Sequence, residues 1–513
     1  MKIFISICIA FSLSTVYAQI NIDSLVQDYQ LKAERGQGSP FYSIKLKRDS
    51  LWPLWKDPIR SNTIRIQSMT ELIQCYKPYY LDSASRFTDD LVNFIESFGD
   101  QKRLAKALLL KAEILIDQNN HPQVIDLCDR SLKLNPGDSW ISAKCKLLSA
   151  KSYSGMGNDE KAKKLLRKSS SLFSKLDDHS EMASIYNTMG LIFNRTNTVD
   201  SALYYFDKSE KIALNIKDLK RLSQSNLNIG QVYNHTGNQK IALKYFIQSE
   251  KQAREINDYQ LMGANSTNIG FIHQQTGEFI KALNYFEKSL EYSSVLRSQM
   301  GQLKALLNIG QTYIDMDHTK RAKVYLFSCE QLSKSINNEP ILAFIYFNLG
   351  KTFKEDGDLR QAINYYKKSV KISDEYSLVL LKSMTYLDLG RVYVQLKNDQ
   401  KALYYLNQTR IIENESGFNQ AKHSAAFELY KLYKRSGNLH ESLKMHELYL
   451  KEKEQKTSML ATNELERYQV EQEFLLKYQK DSLNSSNVIA LANAKNRANQ
   501  ETLKRKNVEL QAN

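Results

Sequence analysis

The sequence predicts an all-α fold, an α-solenoid of stacked helix-turn-helix repeats. Three observations carry that prediction. Gly190, Gly230, Gly270, Gly310, Gly350 and Gly390 stand 40 residues apart, each followed by an aromatic or His at +3, Ala at +12 and an aromatic or Leu at +16. Turn signals recur between the helical stretches at Thr236-Gly-Asn238, Thr276-Gly-Glu278, Asp356-Gly-Asp358 and Ser436-Gly-Asn438. Only Pro340 follows Pro136, so little in the last two thirds of the chain breaks a helix.

Residues three or four apart share one helix face, so the Gly and Ala of each block mark where two helices cross. A glycine inside a helix costs about 1 kcal/mol relative to alanine, and its recurrence at one register therefore needs a packing reason. Close approach of two backbones is the expected one. The pairs Tyr205-Phe206, Tyr245-Phe246, Tyr285-Phe286, Tyr365-Tyr366 and Tyr404-Tyr405 fall in the second helix, where they are expected to seal one helix pair against the next.

The chain opens with Lys2 and an apolar run from Ile3 to Val16, and Val16-Tyr-Ala18 offers small residues before a cut, so 1–18 reads as a secretory signal peptide. No later segment approaches the ~18 to 20 apolar residues of a membrane span. An N-terminal segment, 19–60, precedes a degenerate helical pair at 61–100, where Asp82-Ser-Ala84 echoes Asp200-Ser-Ala202. The solenoid occupies 101–455. Its frame starts weakly around Ala112, Leu115, Cys128 and Pro136, strengthens at Ala150, Tyr153, Gly157, Ala162 and Leu166, and fades at Tyr430, Tyr433, Gly437 and Ser442. Residues 456–513 read as a long charged helix, with Leu465, Tyr468, Leu475 and Tyr478 at roughly helical spacing. A coiled coil, a homodimer through this helix, a linker and a cap on the solenoid all stay open.

These blocks resemble the tetratricopeptide repeat family, whose pattern has small residues at repeat positions 8 and 20 and aromatics at 11 and 24. The period of 40 exceeds the 34 of the common form, and the turn after the second helix is expected to absorb the difference. The resemblance implies a right-handed superhelix whose first helices line a concave groove, with positions 2, 5, 6, 9, 12 and 13 facing a peptide or protein ligand. At position 6 it places Asn228, Asn268, Asn308 and Asn348, with Thr188 before and Asp388 after. A ladder of carboxamides can both donate to and accept from an extended main chain. Positions 9 and 12 add Gln231, Asn234, Gln274, Gln311, Lys351, Lys354 and Arg391, so the groove is expected to turn basic toward its C-terminal repeats. The layout also resembles the exported sensor or scaffold repeat regions of Bacteroidetes-type bacteria. A noncatalytic exported binding scaffold is the leading reading, and an input module coupled to a membrane, kinase or transcription output is the alternative.

Charged residues make up 25% and hydrophobic ones 42%, ordinary for a soluble globular chain. The net charge is +15 from 71 Lys and Arg against 56 Asp and Glu, and loss of Lys2 leaves 70 − 56 = +14. Much of it falls on runs such as Lys161-Ala-Lys-Lys164 and Lys367-Lys368, which read as solvated helix faces. No concentrated basic stripe with stacking aromatics points to nucleic acid. The sequence holds no phosphate-cradling Gly-rich loop, no Cys-x-x-Cys and no His-Glu-x-x-His, so no cofactor, metal or enzymatic activity is expected. His440 and His446 lie on different helix faces, and His273 replaces an aromatic and reads as a packed imidazole. Cys75, Cys128, Cys145 and Cys329 would remain after cleavage. Cys128 and Cys329 fall at packing positions, and an oxidising compartment would permit a Cys128–Cys145 bridge.

Overall fold

The computed structural model describes residues 22–35, 40–416, 421–454 and position 472. Among them there is no strand. The helices are α1 (Ile22–Arg35), α2 (Pro40–Lys56), α3 (Asn62–Tyr76), α4 (Leu81–Glu96), α5 (Gln101–Asp117), α6 (His121–Leu134), α7 (Ser139–Gly155), α8 (Asp159–Lys175), α9 (His179–Arg195), α10 (Val199–Asn215) and α11 (Leu219–His235). They continue as α12 (Gln239–Glu255), α13 (Tyr259–Gln275), α14 (Phe279–Val295), α15 (Gln299–Asp315), α16 (Thr319–Ser335), α17 (Glu339–Glu355), α18 (Leu359–Glu375), α19 (Val379–Gln395), α20 (Asp399–Ser416), α21 (Lys422–Arg435) and α22 (439–454). The signal peptide assigned to 1–18 and the tail assigned to 456–513 lie outside the described residues, position 472 aside. No described helix is long and apolar enough to cross a membrane.

From α7 to α19 every helix is 17 residues long and every connection is three. The expectation that the turn after the second helix absorbs the long period is therefore corrected: both turns are equally short, and the extra length lies in the helices. The middle residue of each connection adopts a left-handed backbone. It is glycine at Gly237, Gly277 and Gly357, but Asn197, Asp317 and Lys397 stand at the same place, and Lys217, Asn257, Arg297 and Asn337 do so between repeats. Next in the chain comes the cap of the following helix. Asp178, Asp218, Asp258, Ser298 and Asn338 each accept the backbone N–H three residues on, so one tight turn ends a helix and starts another.

The glycine register has a different cause from the one expected. A β-carbon on Gly190, Gly230, Gly270 or Gly350 would meet the ring of Phe206, Phe246, Phe286 or Tyr366, the +16 residue of the same repeat. The glycine thus makes room for a side chain from the partner helix, not for its backbone. The aromatic pair accordingly seals its own hairpin. Phe206 is fully buried on Gly190, and Tyr205 stacks on Phe193 at 5.4 Å with its ring nearly parallel. Tyr365 on Phe353 and Tyr405 on Tyr393 repeat that stack. A second register went unnoticed in the sequence. Ser131, Ser169, Ser209 and Ser249 each donate to a carbonyl 26 residues earlier, tying the second helix to the fifth residue of its partner. Cys329 occupies that register, its thiol facing the Leu303 carbonyl.

First helices of neighbouring repeats touch one another, α9 with α11, α11 with α13 and α17 with α19, whereas successive second helices meet at most marginally. The array therefore curves toward its first helices, which line the inner face. The N-terminal helices return to this body. Helix α1 packs on α14, burying Ile22 in the same apolar cluster as Leu283 and Leu290, and the Tyr79 hydroxyl donates to the Asn257 carbonyl at 3.2 Å.

Candidate binding groove

Position 6 of each regular repeat falls on the inner face because it sits two residues before the glycine that meets the second helix. Asn228, Asn268 and Asn308 are half-buried there. They are not equivalent. The Asn228 amide donates to Asn187 Oδ1 of the preceding repeat at 2.7 Å, a rung between repeats. Among the described residues neither Asn268 nor Asn308 spends its side chain on a hydrogen bond, and Gln231, Gln311 and Lys351 at position 9 are equally unengaged. Asn348 departs from the ladder: it is 1% exposed and donates to the Phe344 carbonyl of its own helix at 3.0 Å. At position 12, Gln274 donates to Asp315 of the next repeat at 2.7 Å, and Asn234 keeps a buried carbonyl oxygen with no partner.

The basic C-terminal groove expected from the sequence is ion-paired. Asp388 stands at position 6 where its predecessors carry Asn. It takes Lys354 Nζ at 3.3 Å and Arg391 at 3.5 Å, and Arg391 also faces Glu428 at 3.6 Å. Of the cations assigned to the groove, only Lys351 has no carboxylate among the described residues. The opposite end is richer in charge. Lys144 bridges Glu113 at 2.7 Å and Glu181 at 2.5 Å, and Lys77 reaches Asp117 at 3.2 Å, so α5, α7 and α9 are cross-linked along the inner face. Burial would lower the Lys144 pKa, but the two carboxylates outweigh it and the pKa is raised. Burial would likewise raise Glu113, yet Lys144 and Lys77 hold it low.

Lys151, two turns beyond Lys144 on α7, has no carboxylate partner among the described residues. Its ammonium donates to the Ser184 hydroxyl at 3.0 Å, and burial, followed by the charge of Lys144, brings its pKa down to about 8. It lines a cavity of about 740 Å³ together with Asn187, Arg195, Lys220, Arg221 and Gln224. The sequence reading missed these residues because it populated only positions 6, 9 and 12 of the regular repeats. Positions 2, 5 and 13 of the same frame, continued upstream through Ala150 and Ala112, contain Lys144, Ser184, Gln224, Asn187 and Arg195, and position 9 contains Glu113 and Lys151.

The remaining candidates are structural. His273 stacks on Tyr285 at 5.6 Å with Nδ1 2.5 Å from Glu278, a packed ring. Cys128 and Cys145 do face each other across a turn, where both are buried free thiols and Cys145 Sγ bonds the Cys128 carbonyl at 3.4 Å. Among the described residues no group of three His, Cys, Asp or Glu side chains is placed to hold a metal ion.

A curved stack of helical hairpins with a polar inner face defines a repeat solenoid. Family models described as tetratricopeptide repeat match residues 221–292 and 345–376, so the chain carries tetratricopeptide repeats. No curated protein matches it. Among solved structures, the apo form of RapI is similar at 15% identity over 69% of this chain and 99% of that one, with a TM-score of 0.53. The apo form of the quorum sensor NprR from B. thuringiensis is similar at 14% identity over 72% of this chain and 99% of that one, TM-score 0.52. A signal transduction ATPase with numerous domains and a tetratricopeptide repeat sensor, from Pyrococcus horikoshii, is 19% identical over 67% of this chain, TM-score 0.50, and the match spans 54% of its length. At these identities the likeness is one of fold.

Proposed function

We propose that the chain is a noncatalytic binding scaffold that takes an extended peptide or protein segment along its inner face. The observation that carries this reading is the run of polar side chains left without bonds to the described residues on successive first helices, Gln231, Asn268, Asn308, Gln311 and Lys351. Carboxamides at a 40-residue spacing on adjacent helices offer donors and acceptors to a main chain irrespective of its side chains. The apolar run after Lys2 supports export, and hence a ligand met outside the cytoplasm. The test is a triple variant, Asn268→Ala, Asn308→Ala and Gln311→Ala, assayed by fluorescence anisotropy with peptides selected on the full-length chain from a random display library. Loss of about two or three hydrogen bonds should weaken binding at least tenfold, and unchanged affinity would sink the groove.

A second reading, an input module that passes binding to an output, is favoured by one feature. The last described helix, α22, exposes Leu439 (72%), Leu443 (59%) and Leu450 (48%), whereas Leu283, the counterpart of Leu443 inside the array, is 6% exposed. Apolar side chains exposed in this way among the described residues suit attachment of a further element. The scaffold reading predicts that removing residues 456–513 leaves ligand affinity unchanged, and the module reading that it abolishes response or dimerisation.

A further inference from the structure

The second helices form the outer side of the array, and one of them departs from the rest. In the last turn of α14, Ser294 and Val295 are buried, whereas the residues at the same register, Leu214 and Asn215, Arg254 and Glu255, Lys334 and Ser335, Asp374 and Glu375, are all exposed. One turn earlier α14 carries Leu290, fully buried, where α10, α12 and α16 carry Glu210, Glu250 and Glu330. On α16, Tyr325 is buried, while Tyr205, Tyr245, Tyr285, Tyr365 and Tyr405 at its register are only half-buried. Helix α1 packs here, on α14. Its apolar residues Ile22, Leu25, Val26 and Tyr29 stand at i, i+3, i+4 and i+7, one face of a helix, and join the cluster of Leu283, Leu290 and Tyr325. Ser24, Gln27, Asp28 and Leu31 are exposed on its other sides. Burial above all pushes the Tyr325 phenol up to about 12, and Tyr29 is among the neighbours that add to it. A seat for a helix is thus written into α14 and α16 themselves, and α1 fills it.

The seat belongs to the array, and α1 holds it lightly. Of its stripe only Ile22 is buried and the other three are partly so, and an isolated helix of 14 residues is marginal in water. Helix α1 therefore depends on docking for its fold, as elements that open locally do. We propose that the outer face of α14 and α16 is an interaction surface for an amphipathic helix of a partner protein, and that α1 fills it until such a helix displaces it. The partner is defined by what α1 shows to fit: apolar residues at i, i+3, i+4 and i+7 laid in a groove between helices. A second copy of the chain offers only the same stripe, and its α1 would compete with a tethered one at an effective concentration of about millimolar, so exchange between copies gains nothing. A partner helix with a fuller stripe displaces α1 by its higher affinity, and the tethered arm sets the threshold it must exceed. The surface lies on second helices, so it stands apart from the groove reading.

The experiment uses the full-length chain and a fluorescein-labelled peptide of residues 22–35, read by anisotropy. Three forms are compared: the wild type, an undocked variant carrying Ile22→Glu and Val26→Glu, and the undocked variant with Leu290→Glu added, a side chain that α12 and α16 already carry at Glu250 and Glu330. Undocking should tighten peptide binding at least tenfold over wild type, because the tethered competitor is gone, and Leu290→Glu should abolish that gain. If circular dichroism shows that this carboxylate unfolds its repeat, Ser294→Arg with Val295→Glu takes its place, the pair that α12 exposes at Arg254 and Glu255, and the gain should again be lost. A control peptide with Leu25→Glu and Val26→Glu should bind the undocked variant at least tenfold more weakly than the unmodified peptide. Equal binding to wild type and undocked variant, equal binding of the two peptides, or no binding to the undocked variant would overturn the surface. A wild type that sediments as a dimer beside a monomeric undocked variant would put α1 of a second copy on the seat and overturn the partner helix. Display-selected peptides bound along the inner face should be unaffected by undocking, which keeps failure here distinct from failure of the groove.

Discussion

The ring of Phe206 occupies the space into which a β-carbon on Gly190 would project, its Cε1 only 2.5 Å from that position. The same encounter recurs with Phe246, Phe286 and Tyr366, but at Gly310 the partner is Leu326 and the nearest atoms stand 3.3 Å away. The repeats therefore predict opposite answers to one substitution. Gly190→Ala gains about 1 kcal/mol of helix propensity and loses more, because a fully buried ring must leave a close-packed site, an overpacking cost of about 1 to 3 kcal/mol. Gly310→Ala gains the same propensity against a contact that a few tenths of an ångström relieves. Chemical denaturation should rank Gly310→Ala at or above wild type and Gly190→Ala below it. The reverse order would remove the steric account of the register.

Tyr366 presents the cost of that same pocket in another form. It fills the place of Phe206 in its own repeat, its ring on Gly350 and its side chain completely buried, yet no atom of the described residues bonds its hydroxyl. Burial pushes the phenol's pKa well up, as it must where the charged form has no support. An unsatisfied buried hydroxyl costs about 1 to 3 kcal/mol, so Tyr366→Phe should stabilise the chain by roughly 1 kcal/mol or more, read as a higher denaturation midpoint at an unchanged slope. A destabilised variant would mean that the hydroxyl is bonded after all.

These two sites show what the sequence could and could not reveal. The 40-residue register specifies the hairpins, their order and their inner face, because helical periodicity and turn chemistry act locally and repeat. It does not say which partner atom needs the glycine, since Phe206 and the opposing backbone are equally consistent with a small residue at position 8. Turn length was misjudged for a related reason. Lys217 and Arg297 adopt a left-handed backbone without the glycine that would have announced a tight turn. In the groove, position 6 was legible as a row of Asn, but whether each amide is free depends on the next repeat. Asn187 holds Asn228, while Asp388, which shares that position, is taken by Lys354 and Arg391. The docking of α1 on α14 links residues more than two hundred positions apart, and no periodic pattern encodes it.

Lys144 and Lys151 lie two turns apart on α7, and pH should separate them. Lys144 has its pKa raised by Glu113 and Glu181, so its contribution is fully present below the unfolded lysine pKa and is lost only as pH rises through the folded value above it. Removing it strands two partly buried carboxylates, and Lys144→Met should cost about 2 to 4 kcal/mol at pH 7. Lys151 is the opposite case. Its folded pKa of about 8 lies below the unfolded value near 10.4, so below pH 8 the folded state bears the full expense of a poorly partnered charge. Between pH 8 and about 10.4 the unfolded chain binds more protons than the folded one, and stability from this group rises with pH. At about 1.4 kcal/mol per unit of pKa, the relief is at most about 3 kcal/mol. Lys151→Met should therefore be more stable than wild type at pH 7, with the advantage shrinking toward zero by about pH 10, whereas the deficit of Lys144→Met persists across the same window. Urea titrations of the three proteins at pH 7, 8.5 and 10 would measure both trends. A Lys151→Met advantage that does not change with pH would show that the gain comes from packing rather than from discharging a buried ammonium.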